Sequence, residues 1–107
     1  GILTLGTVPS AKGVHRNVSL LVRGAQRKQL QVELIQVDPP ELRVALGERT
    51  ALNENVEQIP LHVEIPPGLP PTIRIGTDRW PFGEIVLGVK NHPNLKEVRM
   101  RVKFAIE

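Results

Sequence analysis

Apolar and polar residues alternate with a period of two along much of this chain, most clearly between Glu84 and Ile106. Ile85, Leu87 and Val89 alternate along one segment, and Val98, Met100, Val102, Phe104 and Ile106 along the next. Arg99, Arg101, Lys103 and Ala105 fill the positions between the second set. This pattern predicts half-buried β-strands with one face in a core and the other in water. Asn91-His92-Pro93-Asn94 is rich in turn formers, so the two strands are expected to pair as an antiparallel hairpin through a tight turn.

The rest of the chain repeats this grammar. Ile2 to Leu5 reads as a short first strand closed by Gly6, followed by a Val8–Gly13 loop. Arg16 to Arg23 reads as a strand with Val18, Leu20 and Val22 on one face and Leu21 as an exception on the other. Gly24-Ala25-Gln26-Arg27 reads as a hairpin loop. Gln29 to Val37 follows as a long strand whose apolar phase slips by one residue, which predicts a β-bulge or a sheet switch near Leu34-Ile35. Asp38-Pro39-Pro40-Glu41 ends it, and Leu42, Val44 and Leu46 form a short strand. Gly47 to Asn55 reads as a polar loop. Ile59, Leu61, Val63 and Ile65 form another strand, with Pro60 expected at a strand start or on an edge, because proline cannot donate to a ladder. Pro66 to Pro71 is a rigid connector, and Thr72 to Ile75 a short extended segment. About seven to eight strands with regular turn signals predict an all-β antiparallel sandwich. No segment carries a helical period and there is no internal repeat.

Length narrows this to one domain, residues 1–107. The abrupt start at Gly1-Ile2-Leu3, with no signal peptide in view, reads as a domain cut from a longer chain. Aromatic residues make up 3% of the chain, as Trp80, Phe82 and Phe104, which argues against the stacked-base platforms of single-strand nucleic-acid binders. With no cysteine, disulfides, thiolate nucleophiles and cysteine-ligated zinc are excluded. No apolar run approaches the roughly 20 residues of a membrane-spanning helix. A net charge of +3 permits weak attraction to anionic surfaces without demanding nucleic acid.

Chemistry is sparse. His15, His62 and His92 match no metal-ligand spacing, and His92 is expected to shape a turn. Neither Ser10 nor Ser19 sits in a nucleophile elbow, and Gly6 and Gly13 lack the following helix of a phosphate loop. Glu54 and Glu57 read as a solvated carboxylate pair in a loop. No enzyme activity, cofactor or metal is expected. Pro67 and Pro70 have the spacing of a polyproline ligand, but read as part of a rigid loop. Two surfaces stand out. Trp80 and Phe82 fall in one loop, where they would anchor a partner or plug the end of the core. Arg99, Arg101 and Lys103 would project from one strand face about 7 Å apart and could track an anionic polymer. The alternative is a solvated face that discourages edge-to-edge aggregation.

Leu5-Gly6-x-Val8, the Gly13 loop, Arg16-x-Val18-x-Leu20, Gly83-x-Ile85-x-Leu87 and Lys90-Asn91-His92-Pro93 together carry a resemblance. The chain resembles bacterial immunoglobulin-like domains of unknown function related to the hydin and abnormal-spindle type of β-sandwich, where a Thr-Asn-Asp-Pro or Thr-Asn-His-Pro turn joins the last two strands. The resemblance touches both ends of the chain and is vague from Glu41 to Trp80. It implies an immunoglobulin-like sandwich in a periplasmic or extracellular bacterial protein, without catalytic residues. The implied partners are other domains of the same chain or another envelope protein.

Overall fold

The computed structural model describes residues 1–24 and 28–107. Among these the protein is all-β, with no helix. Nine strands follow in order: β1 (Ile2–Val8), β2 (Val14–Arg23), β3 (Gln31–Asp38), β4 (Arg43–Leu46), β5 (Thr50–Ala51), β6 (Val56–Ile65), β7 (Thr72–Arg74), β8 (Gly83–Lys90) and β9 (Glu97–Ile106). One sheet has the order β1-β9-β8-β3, with β7 also on β9. The other has the order β2-β6-β4, with β5 also on β6. The count passes the expected seven to eight because β5 and β7 are stubs of two and three residues.

The two sheets pack across one apolar core. Leu61, Val63 and Ile65 of β6 meet Ile85, Leu87, Val102 and Phe104 of β8 and β9, all within 2% of complete burial. A period-two strand presents alternate residues to one face, and here that face is the inside of the sandwich. β8 and β9 pair antiparallel, as expected, with Leu87 opposite Val98 and Ile85 opposite Met100. The connector is longer than a tight turn: Asn91 takes a left-handed φ of 65°, and Val89 N–H donates to Lys96 C=O at 2.8 Å across it. His92 shapes this turn, its Nδ1 accepting from the Asn94 and Leu95 N–H groups at 3.1 and 2.8 Å.

The phase slip in β3 is a register shift against β8 between Leu34 and Gln36. It turns the inward parity from Val32 to Val37 and leaves Ile35 56% exposed. A second bulge falls where the sequence reading ended a strand. β1 runs on through Gly6, which takes a φ of +78°, and its register against β9 shifts between Thr4 and Gly6. Leu5 at the shift and Val8 after it are both buried, so the bulge keeps both in the core despite their opposite parity.

Pro60 also departs from expectation. It lies inside β6, the central strand of its sheet, with β2 on one side and β4 and β5 on the other. Its C=O accepts from Gly47 N–H at 2.7 Å, so the ring nitrogen faces that same side, between the last pair with β4 and the first with β5. The missing donor falls in a gap of the ladder, where it costs no bond. Glu57 likewise lies in β6 and not in a loop, and one of its carboxylate oxygens is buried without a hydrogen bond among the described residues. The proposed hairpin loop at Gly24–Arg27 falls largely outside the described residues. The strands flanking it, β2 and β3, belong to different sheets.

The connector from Pro66 to Pro71 is pinned to the first loop. Gly68 N–H donates to Ser10 C=O at 2.7 Å, and the Ser10 hydroxyl donates to Leu69 C=O at 2.5 Å. Gly13 has a φ of +66°, and a Cβ there would lie 2.2 Å from the Ile65 carbonyl oxygen, so the loop requires glycine twice over.

Candidate functional site

The segment between β7 and β8 is a compact loop built on one carbonyl. The N–H groups of Ile75, Gly76 and Thr77 converge on the Trp80 C=O at 3.1, 2.8 and 3.0 Å. Trp80 N–H donates in return to the Thr77 hydroxyl at 2.9 Å. Gly76 is required because its φ is +89° and the Phe82 ring covers it, so that a Cβ would lie 2.2 Å from Phe82 Cζ. Phe82 is therefore tucked against the loop, half-buried, while Trp80 is 38% exposed. The two aromatic candidates have different jobs: one packs the loop and the other is presented.

Arg74 anchors this loop to the body. It pairs with the Asp38 carboxylate at the end of β3, and its Nη2 donates to Phe82 C=O at 3.1 Å. The Arg74 side chain is only 18% exposed, so the arginine end of the pair is shielded from water while Asp38 stays partly open to it. Sequence reading did not single out Arg74, since its partner lies 36 residues away. Around Trp80, Pro71, Ile73, Arg79 and Pro81 line a shallow cavity of about 520 Å³. The Arg79 guanidinium lies 5.1 Å from the Trp80 ring centroid, within cation–π range.

Arg99, Arg101 and Lys103 all project outward from β9 and are exposed. Their electrostatics differ. Arg99 is held by two carboxylates, with Nη1 2.7 Å from Glu84 Oε1 and Nη2 2.9 Å from Glu97 Oε1. Its pKa is raised above the ordinary arginine value, first by the hydrogen bond it donates to Glu97, then by the charges of Glu97 and Glu84. Arg101 and Lys103 make no ion pair among the described residues. Arg101 sits 5.8 Å from the Phe82 ring centroid, so the basic face and the aromatic loop, separate in the sequence reading, are one continuous surface.

A further pair comes together unannounced by spacing. His15 and His62 stack across β2 and β6 with ring centroids 6.0 Å apart and planes 14° from parallel. His62 Nδ1 lies 2.6 Å from Asn17 Oδ1. Among the described residues no three His, Asp or Glu side chains are grouped as metal ligands. No described helix is long and apolar enough to cross a membrane. Compared with family models, curated proteins and solved structures, the chain matches none.

Proposed function

We propose that this protein is a non-catalytic immunoglobulin-like module of an exported or envelope-associated bacterial protein, and that it works by protein contact through the Trp80 loop. The observation that carries this reading is the construction of the loop. Three N–H groups fix the Trp80 carbonyl, Phe82 fills the loop from beneath, and Trp80 is left exposed. A rigid aromatic anchor loses little conformational entropy on binding, which is why such side chains dominate interface energetics. The immunoglobulin-like assignment draws support from the division of strands between two sheets and from β1 lying parallel to the last strand.

Binding of an anionic polymer is the second reading, favoured by Arg101 and Lys103 standing without carboxylate partners among the described residues. Against it, the third member of the stripe, Arg99, is already neutralised by Glu84 and Glu97. One experiment separates the two. A photoreactive phenylalanine analogue placed at Trp80 in the full-length protein should crosslink to a discrete protein partner. The isolated domain should compete for that partner, and its Trp80→Ala variant should compete at least about tenfold less well. Absence of any protein crosslink, together with heparin binding that falls steeply with salt, would replace the first reading by the second.

A further inference from the structure

One flank of the sandwich is open between two strand edges. β1 accompanies β9 only from Arg101 onward, so residues 97–100 have β8 on one side and no described strand on the other. The ladder fixes where their backbone groups point. Lys96 C=O accepts from Val89 N–H, so residues 96, 98 and 100 address β8. Residues 97, 99 and 101 address the opposite side, and Arg101 N–H does so, donating to Gly1 C=O at 3.2 Å. Glu97 and Arg99 therefore aim their N–H and C=O groups into the opening.

The opposite wall is β2, which among the described strands pairs with β6 alone. Pro60 directs its carbonyl away from β2, so its partner Ser19 directs its own backbone groups off the free edge, and Leu21 and Arg23 follow at period two. Between the walls lies a groove of about 360 Å³ with an apolar floor that includes Leu20, Leu30, Leu87 and Val98. Leu21 and Leu95 stand at its rim, 49% and 42% exposed.

We propose that this slot accepts an extended strand from a partner protein, in line with β1 and parallel to β9. The backbone chemistry selects the occupant. A row of unpaired N–H and C=O groups is satisfied by another extended backbone, whereas a helix uses its own and a glycan or nucleic acid would leave the apolar floor unmatched. The inserted strand would place alternate apolar side chains on the floor and polar ones toward water. Arg23 lines the rim and makes no ion pair among the described residues, so an acidic residue is favoured at that end of the strand. This site is independent of the Trp80 loop, which precedes the other end of β8.

The test uses a displayed library of short random peptides selected against the isolated protein. Selected sequences should alternate apolar and polar residues. A selected peptide should shift the amide resonances of Glu97, Arg99 and Leu21, and N-methylation at alternate residues should abolish its binding. Leu21→Lys, an exposed change expected to keep the melting temperature, should weaken capture about tenfold. Failure to select peptides, binding indifferent to N-methylation, or binding unchanged by Leu21→Lys would each overturn the proposal. A dimer that Leu21→Lys dissociates would overturn the assigned occupant in favour of a second copy.

Discussion

The two halves of β9 carry the same alternation and meet different fates. From Arg101 to Ile106 the strand lies between β1 on one side and β8 or β7 on the other, and Val102, Phe104 and Ile106 are buried to 5% exposure or less. From Glu97 to Met100 it has, among the described strands, β8 alone, and Val98 is 37% exposed although its parity is inward. A period of two therefore specifies a face, while depth is set by how many strands flank the residue. A sequence window records the first and not the second.

The comparison can be broken most forcefully at its buried end. Val102→Asp places an uncompensated charge at a fully buried site, costing several kcal/mol, comparable to the whole stability of a small domain. Loss of the cooperative melting transition, or failure to express a folded product, is the expected result. Phe104→Ala should cost about 3–5 kcal/mol, read from the midpoint of urea unfolding at unchanged slope. Val98→Asp, of the same parity but at the open end, should cost far less than Val102→Asp. An equal loss would show that the open half is as enclosed as the other. Arg101→Asp, on the outward face, should change stability by about 0.5 kcal/mol or less. Should it unfold the protein while Val102→Asp does not, the register of β9 is wrong by one residue. The subtlest contrast lies within the open half: hydrogen exchange should be fast at the Glu97 and Arg99 amides and slower at Val98 and Met100, which address β8.

Much of the sheet framework is legible in local pattern. The hairpin and the β3 bulge both appear as runs or slips of a period-two signal, because each depends on neighbours in sequence. Features set by distant partners are not legible. Gly6 reads as a strand end because nothing nearby shows that β9 will carry β1 through a bulge. Pro60 reads as an edge residue because the gap between β4 and β5 exists only after both have folded onto β6. In the candidate site, Trp80 and Phe82 announce themselves by residue type in a loop. Their division of labour depends on Gly76, and the anchoring Arg74 finds Asp38 only across the fold. The stripe of Arg99, Arg101 and Lys103 is legible as a face, but the cross-strand neutralisation of Arg99 by Glu84 is not.

The parallel pairing of β1 with β9 has a mechanical consequence. Gly1 lies beside Arg101 at one end of that ladder, and Glu107 N–H donates to Val8 C=O at 3.0 Å at the other. Tension drawn between the two termini pulls these strands along their own axes in opposite senses. The ladder then shears, with its bonds loaded together, instead of peeling open one bond at a time. A domain stretched within a longer chain would resist force chiefly at this seam, and its yield point would depend more on the β1–β9 bonds than on the depth of the core.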